Sequence, residues 1–166
     1  MMVFMKLNEF IEDNIFLDSN IFIYSITSTG NFKSCNLLLN KIKSGEITGY
    51  INPIVISEVY HKLLILNVSR EYETPIHNSI KIIKNNPDVL NKIEGPRKAV
   101  LEISKIEDIK VLDINEIILE NSYLFLDTLL INDAIHAATC KYYDINNIAT
   151  NDSDFERVDF LKVWKP

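Results

Sequence analysis

Four carboxylates from distant parts of the chain carry the strongest chemical signal. Asp18 closes the apolar run NIFLD, Glu58 lies within SEVYHKL, Asp133 falls in LLINDAIHAA and Asp152 follows IATN. Two carboxylates ~5 Å apart at an effective dielectric of ~20 repel by about 3 kcal/mol, so several at one sheet edge require raised pKa values or a cation. A hard divalent ion is the simpler answer. Mg²⁺ and Mn²⁺ take oxygen ligands, keep several waters and are held by a few carboxylates together with substrate phosphates. The matching chemistry is phosphodiester hydrolysis, in which the ion activates a water and offsets charge developing on the phosphate.

For those acids to meet, particular elements must carry them. Asn14 to Asp18 reads as a buried strand with a carboxylate at its carboxyl end, and Ser19 and Asn20 behind it are good N-caps for a short helix through IFIYSI. Asn31 to Ser44 has the spacing of an amphipathic helix stopped by Gly45. A second strand fits Glu46 to Ile51. Asn52 then caps, and Pro53 opens, a helix through Leu66, with Val55, Val59, Leu63 and Leu66 as its apolar stripe and Glu58 on its flank. Helices are expected from Thr74-Pro75 to Lys84 and from Arg97 to about Asp108, with a third strand at Ile109 to Leu112 and helical spacing from Asn115 to Leu126. Asp133 opens an alanine-rich helix, a strand over Asn147 to Thr150 runs into Asn-Asp-Ser-Asp and so places Asp152 just past its carboxyl end, and Leu161 to Trp164 supplies a last strand. Strands alternating with helices predict a three-layer α/β/α sandwich with a mainly parallel central sheet.

Composition narrows the class further. A chain of 166 residues with 47% hydrophobic and 24% charged residues and four glycines describes one packed, helix-rich domain rather than a disordered or loop-rich one. We set its boundaries at 14–166, preceded by an extension over 1–13. In that extension Phe4, Leu7 and Ile11 would share a helical face, as a docked helix or an interface arm. With Glu9, Glu12 and Asp13 close behind a single Lys6, it resembles neither a signal peptide nor a membrane span. Cys35 and Cys140 lack paired spacing, which suits free thiols in a reducing cytoplasm. A net charge of −6 gives no global pull toward nucleic acid, so any such binding is local. Lys33, Lys41, Lys43, Lys62 and Arg70 are the candidate local bases, and a shallow salt dependence of binding is expected.

Each acid also has a plainer reading. Asp18 and Asp133 could serve only as helix N-terminal acids, Glu58 as a solvated flank residue and Asp152 as a turn residue. A calcium loop starting at Asp152 fails, because its sixth position would be Arg157 instead of Gly and its twelfth Val163 instead of Glu. His136, one helical turn from Asp133, reads as a packed histidine rather than a general base. His61, His77, Tyr142, Tyr143 and Trp164 read as core or surface, and Glu116 and Glu120 as a solvated face.

Together, IFLDSNIFIY, the SEVYHKL helix, LLINDAIHAA and IATNDSDFERV resemble the four acidic motifs of PIN-domain proteins, in that family's order and from about residue 14 to the end. The resemblance is closest to VapC-like toxins and similar small prokaryotic PIN nucleases. It implies that Asp18, Glu58, Asp133 and Asp152 are the catalytic acids that hold the metal, Mg²⁺ or Mn²⁺. Ser19 matches the hydroxyl position after the first acid and Thr150 the small hydroxyl residue before the fourth. Asn20 and Asp154 are candidates for supporting those acids, Asp154 more as a cap for the turn at Phe155. The implied activity is endoribonuclease cleavage of RNA, with homodimerisation and, in the toxin branch, inhibition by a cognate antitoxin of a type II pair. Two features depart from small family members: about a dozen residues precede the first strand, and the Glu58 to Asp133 segment carries extra helical material around Asn85 to Asp108. Either would suit a dimer contact, a substrate clamp or an antitoxin seat. The alternatives are a PIN-fold RNA- or protein-binding module without turnover, or a housekeeping RNA-processing nuclease. A haloacid-dehalogenase-like phosphatase would need an acid two residues after its nucleophile, where this chain has Asn20.

Overall fold

Three apolar residues in a row, Ile15, Phe16 and Leu17, are each fully buried, and successive strand residues point to opposite faces. Both faces of the sheet must therefore be covered. The computed structural model describes residues 5–166 and shows how. Six strands, β1 (Met5–Lys6), β2 (Asn14–Leu17), β3 (Thr48–Ile51), β4 (Ile109–Val111), β5 (Asn147–Ala149) and β6 (Lys162–Lys165), form one sheet in the order β1-β6-β5-β2-β3-β4. Every pairing is parallel. The helices are α1 (Ser19–Thr27), α2 (Phe32–Lys43), α3 (Pro53–Glu71), α4 (Ser79–Asn85), α5 (Val89–Lys92), α6 (Gly95–Ser104), α7 (Glu116–Ser122) and α8 (Ile131–Tyr142). On one face Phe16 packs against His136 of α8, ring centroids 5.4 Å apart. On the other, a Cβ at Gly49 of β3 would lie 3.0 Å from both Ile42 of α2 and Leu17, so glycine there lets α2 sit close to the sheet. The expected α/β/α sandwich is present.

Strand order decides where chemistry can gather. From β2 the chain moves outward to β3 and β4, then returns to β5 on the opposite side of β2 and continues to β6. The direction of winding reverses between β2 and β5, and a crevice opens outside their carboxyl ends. Asp18 follows β2 and Asp152 follows β5 across that crevice. The ladder runs to its edge, with the Asp18 N–H donating to the Ala149 carbonyl at 3.0 Å and the Thr150 N–H to the Trp164 carbonyl at 3.1 Å.

The chain start differs from its expected form. Met5–Lys6 is a strand paired with Trp164 and Lys165, and Leu7–Glu9 is a single 3-10 turn rather than a helix. Leu7 and Phe10 are buried, Phe10 edge-on to Trp164 at 5.0 Å, whereas Ile11 is 87% exposed. The free edge of β6 offers main-chain partners and Trp164 offers an apolar seat, and together they outweigh a spacing of three apolar residues. Phe4, the first residue of that spacing, lies outside the described residues.

Asn52 caps α3 by accepting the Val55 N–H, with Pro53 at the first position, and the helix continues to Glu71 rather than ending at Leu66. Its extra turn has a packing reason: Leu64 and Val68 form a second apolar cluster with Val89 and Ile93. The long segment between Glu58 and Asp133 thus builds a subsidiary core of its own. The helix expected to begin at Arg97 starts at Gly95 and ends at Ser104. Among the described residues no helix is long and apolar enough to cross a membrane.

Candidate metal centre

The carboxyl end of β2 is stitched to that of β5. Asp18 caps α1 with its own side chain, so the cap falls one residue before Ser19; its Oδ1 accepts the Ser19 N–H at 2.5 Å. Its Oδ2 accepts from the Thr150 hydroxyl at 2.6 Å and from the Asn20 amide at 2.5 Å. Thr150 in turn accepts from Asn20 at 3.1 Å and from the Asp152 N–H at 3.0 Å. Asp18 is consequently 6% exposed yet hydrogen-bonded through both oxygens, as a buried carboxylate must be, with a lone pair left on Oδ1.

The other acids arrive on helices. Glu58 sits in the second turn of α3, where its Oε1 accepts from the Asn132 amide at 2.8 Å and ties α3 to α8. Asp133 lies in the first turn of α8, a helix whose N-cap residue Leu130 supplies no side-chain bond. Asp152 accepts the Asp154 N–H at 2.8 Å and so caps the 3-10 turn Ser153–Arg157, the role expected of Asp154. The Asp154 carboxylate instead pairs with Arg157 at 2.8 Å.

All four acids line one cavity of about 440 Å³, together with Asn20, Lys62, Asn132, Leu130 and Ile131. A larger cleft of about 610 Å³ between α1, α2 and α6 is walled mainly by apolar residues and lies away from these acids. Of the five candidate local bases, Lys62 lines the acidic cavity; its Nζ donates to the Ser19 hydroxyl at 2.9 Å. Asp154 does not line it.

The electrostatics of the cavity are uneven. Burial, followed by the charges of Asp18, Asp152 and Glu58, pushes Asp133 up to about 6, against the pull that His136 would exert in its protonated form. Burial also acts to raise Glu58, but the His136 ring, Asn132 and Ser19 outweigh it and hold that carboxyl at about 2. His136 Nε2 stands 3.8 Å from Glu58 Oε2, beyond hydrogen-bond length, so we give the 2.8 Å bond from Asn132 the greater share of the lowering. Burial first, and the neighbouring carboxylates after it, keep a proton on Asp133 up to about pH 6, a condition a bound cation would relieve. Carboxylate oxygens of Asp18 and Glu58, and a ring nitrogen of His136, lie within 4.8 Å of one another. The carboxylate oxygens of that group, with Asp133 and Asp152 lining the same cavity, fit a small divalent ion.

Three residues at the site carried no such expectation. His136 is packed and fully buried, as its sequence context predicted, yet it reaches the acids. Asn52 was legible as a cap, but not as a partner of His136, because 84 positions separate them. Asn132 gave no signal beyond its place beside Asp133.

A parallel α/β sheet with carboxylates gathered at its switch point defines a class of domains whose chemistry occurs at strand ends. Within that class the chain belongs to the PIN domain family, whose model matches residues 15–161. It is 37% identical over 155 residues to Ribonuclease VapC2 of Methanocaldococcus jannaschii, covering 92% of this chain and 93% of that protein. To Ribonuclease VapC6 of the same organism it is 34% identical over 157 residues, 87% of this chain and 95% of that one. Among solved structures, VapBC2 from Rickettsia felis bound to a promoter DNA fragment matches with a TM-score of 0.53 at 19% identity, over 92% of this chain and 98% of that one. A toxin-antitoxin complex from Klebsiella pneumoniae matches with a TM-score of 0.54 at 17% identity, over 89% and 94% of the two chains. At such low identity these two likenesses establish the fold.

Proposed function

We propose that this protein is a metal-dependent ribonuclease that hydrolyses phosphodiester bonds in RNA, and that it is the toxin of a toxin–antitoxin pair. The observation that carries the proposal is the convergence of Asp18, Glu58, Asp133 and Asp152, from four separate segments, on one cavity where Asp133 is pushed up to about 6. The relatives named as ribonucleases over almost the whole chain support the same reading.

In this reading the four acids hold Mg²⁺ or Mn²⁺ and are the catalytic residues. Bound there, the ion supplies a more acidic attacking water and neutralises charge gathering on the phosphate. The chain's own residues do the rest. Thr150 and Asn20 clamp Asp18 through Oδ2, with Ser19 closing on Oδ1. Asn132 fixes Glu58. Lys62 places a positive charge on the cavity wall, where a scissile phosphate would lie.

A cognate antitoxin and a second copy of this chain are the proposed protein partners. Leu130 and Ile131 are 77% and 47% exposed and both line the acidic cavity, so a partner covering this apolar rim would border the chemistry. We place the protein in the cytoplasm, where the buried free thiols of Cys35 and Cys140 stay reduced.

Cleavage of a mixed-sequence single-stranded RNA by the wild type, with and without Mn²⁺ or Mg²⁺, tests the proposal against Asp133→Asn. Metal-dependent cutting that disappears in the variant is the expected result. Metal-independent cutting, or equal cutting by the variant, would overturn it, and absence of any cation binding would favour a PIN-fold module without turnover.

A further inference from the structure

Behind the acidic cavity lies a fully buried polar cluster of Asn52, His136 and Thr139. Its hydrogen bonds can be assigned from both ends. Asn52 Oδ1 accepts the Val55 N–H at 3.3 Å, as the cap of α3. The Thr139 hydroxyl donates to the Ile135 carbonyl at 2.7 Å, leaving its oxygen only able to accept, and Asn52 Nδ2 lies 3.1 Å from it. The Asn52 amide therefore has one orientation, with Nδ2 facing His136 Nδ1 at 3.1 Å. Because Nδ2 donates, Nδ1 must accept, and the imidazole carries its proton on Nε2.

That proton points at a functional group. His136 Nε2 is buried with no hydrogen-bond partner, and Glu58 Oε2 stands 3.8 Å away. Glu58 Oε1 is already held by Asn132. A carboxylate gripped through both oxygens keeps one direction, with its remaining lone pairs free for a cation. An orphaned buried N–H is costly to leave unmade, so the pair is poised to close.

We propose that His136 is a positioning residue: Asn52 fixes its Nε2–H tautomer, and the Nε2–H holds the Glu58 carboxylate toward the metal centre while being unable to ligate the ion itself. The centre stays all-oxygen although a ring nitrogen lies within 4.8 Å of Asp18 and Glu58 oxygens, which favours Mg²⁺ or Mn²⁺ over softer ions. This rests on the metal-dependent reading above.

Two measurements on the full chain test it. Long-range ¹H–¹⁵N spectra of histidine-labelled wild type should show His136 as the Nε2–H tautomer, unchanged in that respect when Mg²⁺ is added. A proton on Nδ1, or loss of the Nε2 proton on adding Mg²⁺, would overturn the proposal. Calorimetric titration with Mg²⁺ and Mn²⁺ should show His136→Leu binding about 10- to 100-fold more weakly than wild type, and His136→Gln, whose amide Nε2 can also donate, recovering most of the loss. Wild-type affinity in His136→Leu, or no recovery in His136→Gln, would show that the histidine is only packed. Should His136→Leu fail to fold, the tautomer of the wild type still decides. If wild type itself takes up neither ion, the metal-dependent reading fails, and the spectra still judge the tautomer separately.

Discussion

Two regions of this molecule hold it together by opposite means. Around Leu64, Val68, Val89 and Ile93, the far half of α3 and the segment through α4 and α5 bury apolar surface between neighbouring helices. Around Asp18, Glu58, Asp133 and Asp152, four segments converge on one cavity where burial, and after it the neighbouring like charges, push Asp133 up to about 6. The first region gains stability from what it buries; the second loses it. Substitutions should therefore have opposite signs in the two places, because the acidic cavity retains repulsion that only a bound cation would offset.

The sharpest way to break this contrast is to neutralise an acid. Asp18→Asn or Asp133→Asn should lower RNA cleavage by at least about a thousandfold. The same change at Asp133 should raise metal-free stability by about 1–2 kcal/mol at pH 7, after discounting the shift for solvent screening. Gel-based cleavage and urea unfolding measure the two effects on one preparation. A variant that loses both activity and circular-dichroism signal would contradict the account.

Truncating the other region should give the reverse pattern. Leu64→Ala should cost about 2–4 kcal/mol in urea unfolding, as expected for a leucine removed from a packed core. Cleavage per folded molecule should stay at the wild-type level. A catalytic defect at that site would mean that the subsidiary core shapes the cavity after all.

A smaller effect lies in the pH dependence of the metal-free protein. Asp133 titrates near 6 when folded against an ordinary value of 3.8, so the folded chain binds more protons between those values and loses stability as pH rises through them. Glu58 runs the other way. Its carboxyl falls from 4.5 to about 2, so its contribution is complete above 4.5 and disappears as pH drops toward 2. The difference in unfolding free energy between wild type and Asp133→Asn should thus change between pH 4 and 6 and be flat above it. A difference that does not vary across pH 4 to 6 would show that Asp133 is not raised.

The smallest change expected is at Asp154. Its carboxylate pairs with Arg157 on a partly exposed turn, away from the cavity lining. Asp154→Ala should alter stability by less than about 1 kcal/mol and leave cleavage intact. A large loss of activity would restore it as a support for Asp152.

Much of this architecture was legible in the residues. NIFLD announces a buried strand ending in an acid, Asn52-Pro53 announces a helix start, and the alternation of strands and helices implies the parallel sheet. What escaped depends on pairing across long separations. β1 is only two residues long, and its partner β6 lies at the other end of the chain. The same limit hid the Asn52–His136 contact: each residue has a sufficient local explanation, a cap in one case and a packed helix face in the other. Asp152 took the cap expected of Asp154 because the choice between neighbouring acids turns on backbone angles that composition does not encode.

The central claim is that four acids tolerate their repulsion for the sake of a cation. Thermal unfolding with increasing Mg²⁺ or Mn²⁺ tests it directly, comparing wild type with Asp133→Asn. The account predicts that metal-free wild type melts below the variant and rises with added ion, by about 2.7 kcal/mol of stability at a hundred times the dissociation constant, while the variant barely responds. A wild type whose melting temperature ignores both ions would contradict it.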